Sequence, residues 1–332
     1  MARLLLLVFG MIVVQFSMAQ DIHFSHLNRQ PTFQNPGNAG LFVGDIRLNA
    51  NYKDQWRSVT VPFTTIAVSS DFRWKPKGMG FGFVFFHDKV GDGTFQTIEG
   101  MFSAAKHLKL TGDSSHLISA GLQVGFNYRQ VNLNSFYFDL QFDGVAFNPG
   151  LATQETFNND SKWNVNTGVG ATYQWLMDKK EKLTAGISLH NINRPNQGFY
   201  GQVNKRDRRL SLFAQYQRPL NQDFTLLPGL GLNFQGKYRE ILIGSQLRYT
   251  LIEKLGTYRA VDAGIWFRAR DAVIVRLGAS IQNWSVAVSY DTNISQLVPA
   301  SRLRGGLELS AEYILTRFKP RNIYHRVCPD YI

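Results

Sequence analysis

The stretch 271–293, DAVIVRLGASIQNWSVAVSYDTN, decides how the rest of the chain is read. Val273, Val275, Leu277, Ala279 and Ile281 are apolar, and Arg276, Gly278, Ser280 and Gln282 sit between them. A period of two marks a strand with one oily and one polar face. After Gln282-Asn283 the phase changes, and Trp284, Val286, Val288 and Tyr290 become the apolar set. One strand of this length would run about 66 Å at ~3.3 Å per residue, more than sheets usually allow. A reversal at Asn283 divides it into two strands of about 9 to 11 residues, long enough to cross a bilayer when tilted. The stretch therefore predicts a membrane-spanning hairpin.

Composition agrees. The 332 residues include 25 Phe, 13 Tyr and 29 Gly, and only 18% are charged. That balance suits the many short strands of a barrel better than an α/β enzyme. The one cysteine, Cys328, rules out an internal disulfide framework and a Cys-rich zinc site. The net charge of +12 is scattered, without a basic helix or dense cluster. It argues against nucleic acid and for a basic lumen, or a basic surface facing an acidic partner.

At the start of the chain, Arg3, the apolar run 4–16 and Ser17-Met18-Ala19 form a signal peptide, with cleavage expected after Ala19. Beyond it no run of 18 apolar residues exists, which excludes helical spans. Export without spanning helices, together with alternating strands, means either a secreted protein or an outer-membrane barrel.

Residues 20–44 are polar, contain Pro31 and Pro36 and have no period, so they read as a plug-like lead-in. Alternation begins at Asp45 and returns at 62–75, 78–88, 94–110, 116–131, 162–176, 182–193, 207–218, 224–235, 240–251 and 259–270. The hairpin and 302–317 complete the set. The fold class is all-β, a transmembrane antiparallel barrel of about 14 strands, even in number. Its parts are a signal peptide (1–19), an N-terminal periplasmic or plug segment (20–44), the barrel (45–318) and a periplasmic tail (319–332). Connection lengths sort by side. With both termini in the periplasm, the connections 75–78, 111–114, 178–181, 219–222, 253–257 and 282–283 are periplasmic, and all are short. The long ones, near 132–160, 194–206 and 293–301, fall outside. Trp56, Trp74, Trp175, Trp266 and Tyr313 lie toward strand ends, where interfacial aromatic girdles belong.

Chemistry is sparse. His87-Asp88 and His190 end strands, without a GxSxG elbow or a zinc-binding helix motif, and solvating a rim is the simpler role. No catalytic residue, cofactor or metal is expected. Arg248, Arg268, Arg270, Arg276, Arg304, Glu308 and Glu312 share the polar face of their strands and are expected to line the lumen, mainly as salt bridges. The tail 319–332, KPRNIYHRVCPDYI, continues past the last strand. Arg321, Tyr324, Arg326, Cys328 and Tyr331 make it a candidate periplasmic docking segment.

Several elements in order resemble the PorP/SprF family of type IX secretion membrane proteins from Bacteroidetes. They are the signal peptide before Gln20-Asp21, the run 35–40 (NPGNAG), Tyr52-Lys53-Asp54-Gln55-Trp56, and Pro62-Phe63-Thr64-Thr65 with Asp71. Further on come Gly78 to Gly82 before Asp88, Ser289-Tyr290-Asp291-Thr292-Asn293 with Ser295 and Leu297, and Cys328-Pro329. Lys53-Asp54 departs from the Arg-Asn expected there. The resemblance implies a non-enzymatic outer-membrane component of type IX secretion, in contact with membrane lipid. Its implied partners are the secretion pore, periplasmic secretion or gliding components, and a large adhesin cargo recognised through a C-terminal signal domain. Phe136, Tyr137, Phe138, Phe142, Phe147 and Phe157 on the longest loop are the candidate cargo anchors. The competing reading is a passive or hydrophobic-solute channel.

Overall fold

The computed structural model describes residues 21–316 apart from 27–28, 58–60, 92–94, 133–135, 152, 154–159, 179, 200–202, 255–256 and 297. The predicted signal peptide, the tail 319–332 and Phe157 lie outside the described residues.

Strands β1 (Ile46–Gln55), β2 (Phe63–Trp74), β3 (Met79–Val90), β4 (Phe95–Lys109), β5 (His116–Gln130), β6 (Ser161–Leu176) and β7 (Lys182–His190) make the first half. The second half is β8 (Arg209–Pro219), β9 (Phe224–Gln235), β10 (Tyr238–Lys254), β11 (Thr257–Arg268), β12 (Ala272–Ile281), β13 (Trp284–Asn293) and β14 (Gly306–Leu315). Each pairs antiparallel with its sequence neighbours, and β1 closes on β14 from Ile46↔Leu315 to Gln55↔Gly306. All edges are thereby removed, as a bilayer requires.

The interior is inverted relative to a soluble protein. On β12 and β13, Val275, Leu277, Ile281, Trp284, Val286, Val288 and Tyr290 are exposed outward, while Arg276, Ser280, Ser289 and Asp291 are buried. The same holds on β5, where Leu122, Val124 and Phe126 face out and Ser119, Gln123 and Asn127 face in. Hydrocarbon solvates one side, so the polar residues must satisfy one another inside.

The hairpin turns at Gln282-Asn283, and Gln282, rather than Asn283, takes the left-handed backbone (φ 53). Two strand ends depart from the alternation for the same reason. β7 stops at His190 because Asn191 is left-handed (φ 56), and β14 starts late because Arg302 and Leu303 are (φ 51 and 66). A residue in that region cannot continue an extended strand.

Aromatic pairs ring the rim that carries the short turns. Phe72–Phe81 (5.3 Å), His116–Trp175 (5.5 Å), Phe224–Tyr249 (4.8 Å) and Trp284–Tyr313 (4.7 Å) lie there. Tyr128–Trp163 (4.8 Å) marks the opposite rim. Trp266 does not join either belt. It is 3% exposed and packs inward with Leu242, Ala272 and Ile274. Phase decides this, because Trp266 has the parity of buried Asp262 and Arg268 on β11.

Candidate functional site: the filled lumen

Residues 21–45 do not hang outside the barrel. They enter near the long-loop rim at Asp21, run down the lumen through a short helix α1 (Pro31–Gln34) and a 3-10 turn (Pro36–Asn38), and leave at the short-turn rim. There the Asp45 N–H donates to the Leu315 carbonyl (2.9 Å), and Lys75 Nζ donates to the Asp45 carboxylate (2.7 Å).

The lower half of this plug is seated by close backbone approach. Asn35 Nδ2 donates to the carbonyls of Ala171 and Ile187, both at 3.0 Å. Ser119 Oγ donates to the Gly37 carbonyl at 2.6 Å. Such contacts need a wall without side chains. A Cβ on Gly121 would lie 2.5 Å from the Pro36 backbone, and one on Gly80 would lie 1.9 Å from the Ala39 carbonyl oxygen. Asp71 closes the seat, accepting from Gly40 N–H (2.8 Å) and from Arg47 Nε and Nη2 (2.9 and 2.8 Å). Higher up, Phe33 packs with Ala67, Val84, Phe86 and Met101, and Ile22 and Phe24 add to the cluster. Burying Phe33 contributes about 1.5–3 kcal/mol.

The upper half is held by charge. Ser25 N–H donates to Glu308 Oε2 (2.6 Å) and Ser25 Oγ to Asp291 Oδ2 (2.6 Å). Arg268 is 2% exposed and joins Asp291 (2.9 Å), Asp271 (2.8 Å) and Ser25 Oγ (2.8 Å). Lys53 Nζ donates to the His23 carbonyl (2.9 Å). His23 and His26 lie 3.9 and 3.8 Å from Glu240 and Glu308. Burial nevertheless outweighs those carboxylates. Together with Lys53, Arg268 and Arg209 around His23, and Arg276, Arg29 and Lys53 around His26, it pushes both imidazoles well below their ordinary range.

Both histidines are therefore neutral in the seated plug and take up protons once released. Seating is fully favourable above the free-histidine value of 6.5 and weakens as pH falls below it. The expected slope reaches about 1.4 kcal/mol per pH unit for each histidine. Hydrogen exchange of residues 21–35 checks this. Protection should drop between pH 7 and 5, and should be pH-independent there in a His23→Gln, His26→Gln variant.

At the long-loop rim Asp21 is gripped by Arg206 Nε (2.7 Å), Arg209 (3.6 Å) and Asn191 Nδ2 (2.9 Å). Burial opposes its charge, but Arg206 and Arg209 outweigh burial and hold the carboxyl below the usual carboxylate range. Arg206 also reaches Glu99 (3.2 Å), which Asn127 and Asn166 contact at 2.9 and 2.6 Å. Both ends of the connection between β7 and β8, at Asn191 and Arg206, are thus tied to the plug.

The residues singled out by sequence separate into groups. Arg268 and Glu308 are central to the plug seat. Arg276 and Arg248 share buried Asp262 (3.5 and 3.8 Å), and half-buried Glu312 lines a cavity with both. Arg304 and Arg270 are not lumen residues. Both are exposed in rim connections, Arg304 before β14 begins and Arg270 in a left-handed turn (φ 61). Both lie past the strand ends, Arg268 on β11 and Gly306 on β14, where strand parity no longer decides the face. His190 faces inward onto the Gln34 carbonyl (3.2 Å) and Ser188, as part of the plug seat rather than a solvated rim.

On the longest loop Tyr137 and Phe147 stack edge to face at 4.5 Å, and Phe142 bridges Phe147. Phe136, Tyr137, Phe142 and Phe147 are exposed, while Phe138 is half-buried. Gln141 organises this cluster, accepting from Asn148 N–H (2.7 Å) and donating to the Leu151 carbonyl (3.2 Å). Sequence reading passed over Gln141, Arg206 and the glycine wall. The local trace of the wall is glycine on the inward faces of β3, β5, β6 and β7, at Gly80, Gly121, Gly170 and Gly186.

A family model described as "Type IX secretion system membrane protein PorP/SprF" matches residues 16–313. The chain belongs to the PorP/SprF family. It is an outer-membrane component of type IX secretion. A comparison with curated protein sequences returned no match. Among solved structures, the barrel is similar to the Ralstonia pickettii toluene transporter TbuX. The TM-score is 0.51 at 10% identity, over 86% of this chain and 93% of that one. It is also similar to the Pseudomonas putida toluene transporter TodX, with a TM-score of 0.50 at 9% identity over 87% and 93%. These likenesses show that this chain shares its barrel fold with them.

Proposed function

We propose that this PorP/SprF barrel is a closed, non-enzymatic partner in secretion. It helps export, or hold at the surface, a large adhesin-type cargo through the cargo's C-terminal signal domain. The observation that carries this reading is the filled lumen, in which residues 21–41 are bonded to the wall from one rim to the other. A barrel stoppered by buried ion pairs serves as a scaffold with two faces. The long-loop face offers Tyr137, Phe142 and Phe147 as apolar anchors for cargo. The short-turn face, with the tail residues Arg321, Tyr324, Arg326, Cys328 and Tyr331, serves the secretion pore or the periplasmic secretion and gliding components.

The fold shared with two toluene transporters favours a second reading, a hydrophobic-solute channel. Against it, the plug crosses the lumen, and the cavities left between plug and wall carry charge, Asp21, Arg209 and Glu240 on one side and Asp88, Arg129 and Arg206 on another. A pull-down in mild detergent from the native membrane separates the readings. Recovery of a large surface protein or the secretion pore, lost when 136–151 or 319–332 is deleted, is the expected result. A protein that isolates alone and passes toluene into liposomes would reverse the assignment.

A further inference from the structure

The short-turn half of the lumen contains a cavity of about 280 Å³ below the plug, lined by Arg29, Arg47, Lys182, Arg248, Arg276 and Glu312, among others. Its charges do not balance. Asp71 pairs with Arg47 (2.8 Å), Asp262 lies between Arg276 (3.5 Å) and Arg248 (3.8 Å), and Glu312 is the acid on the lining. Five cations thus face three carboxylates, an excess of two.

Two of the cations, Arg29 and Lys182, form no ion pair among the described residues, although Glu312 is the carboxylate that acts most on Arg29. Arg29 is 7% exposed and, among the described residues, meets no carboxylate within ion-pair distance, donating instead to the Ser285 hydroxyl (3.1 Å) and carbonyl (3.4 Å). Lys182, the first residue of β7, is half-buried, and its ammonium has no hydrogen-bond or ion-pair partner among the described residues. Arg248 Nε and Arg276 Nε are buried donors without an acceptor. An unpaired buried cation is strongly unfavourable, and unmet donors add to that. Plug and wall side chains therefore leave a cradle rich in donors and short of negative charge.

We propose that this cradle is a binding site for a phosphate-class anion that enters from the short-turn rim. A doubly charged oxyanion matches the excess of two, and its oxygens can accept from the Lys182 ammonium and from the guanidinium groups of Arg29 and Arg248. A lone carboxylate would leave one cation unmatched. The cavity has room for more than phosphate itself, so a phosphomonoester or a phosphorylated lipid headgroup presents the same chemistry. Occupancy would tie Arg29 of the plug to Lys182 and Arg248 of the wall. The site rests on these charges and stands independently of the secretion reading.

The test uses the full chain in detergent, titrated with inorganic phosphate at constant ionic strength set by chloride, with binding read by calorimetry. Saturable binding to one site is expected, weakened tenfold or more in Arg29→Gln and in Lys182→Gln. Lys182 lies at a strand end away from the plug seat, so its variant remains informative even where Arg29→Gln perturbs the plug. Arg218→Gln, an exposed rim arginine outside the cavity, should bind as the parent does. Vesicles containing phosphatidic acid, whose headgroup is a phosphomonoester, then identify the source. Displacement of phosphate by them assigns a lipid headgroup, and failure to displace it assigns a free phosphate compound. Absence of saturation, or an equal response in all three variants, overturns the site. Tighter binding of a poly-glutamate peptide than of phosphate overturns the ligand class.

Discussion

Gly121→Leu is expected to unseat the plug while leaving the barrel closed. The Cβ alone would stand 2.5 Å from the Pro36 backbone, and the remaining side chain would occupy the space of the 35–38 turn. Backbone on both sides cannot yield, so the turn must leave the wall. Asn35 then loses its bonds to Ala171 and Ile187, and Ser119 loses the Gly37 carbonyl. Overpacking of this kind costs about 1–3 kcal/mol, and each stranded buried group adds about 1–3 more. The strand pairing of β5 is untouched, because Gly121 meets the plug only on its inward side. Protease should cut within 21–41 in the variant and not in the parent, and reconstituted liposomes should become leaky to small sugars. Gly112→Ala, in an open turn with nothing within 4 Å of the added methyl, is the control that should change neither.

Arg268→Met is expected to give the largest single loss of stability. It removes the common partner of Asp291, Asp271 and Ser25, and leaves Asp291 and Glu240 buried without a close cation. Breaking one side of a buried pair costs about 3–5 kcal/mol, whereas replacing both sides with apolar groups is often neutral. Urea unfolding in detergent should show that loss for Arg268→Met, and the double variant Arg268→Met, Asp291→Leu should recover part of it, because Glu240 stays buried without its arginine. A loss below about 1 kcal/mol in the single variant would mean that the network is more hydrated than its burial indicates.

Strands were legible because the bilayer enforces a rule on every one of them. Leu277 cannot exchange faces with Arg276 without placing a guanidinium in hydrocarbon, so the period survives in the sequence of β12 as it does in β5. The errors fall where that rule stops. Arg304 and Arg270 sit in rim turns, where parity carries no meaning. Trp266 was assigned by its distance from a strand end, although its parity placed it inside.

The site was less legible, for a different reason. Residues 21–45 make their bonds one at a time across large sequence separations, such as Ser25 to Glu308 and Asp21 to Arg206. No local period records them. A polar, proline-containing lead-in could be read as plug-like, and Arg268 and Glu308 as lumen charges. The match between the two segments emerges only when the barrel closes. The glycines opposite Pro36 and Ala39 look like ordinary small residues on a polar face, because their partners lie in a segment whose sequence has no period.

The claim that the barrel is a stoppered scaffold is tested most directly by the conductance of the intact protein in a planar bilayer. The account predicts a silent membrane at neutral pH, with steps appearing when 21–41 is deleted. Stable open-channel steps from the intact chain at neutral pH, unchanged by that deletion, would contradict it.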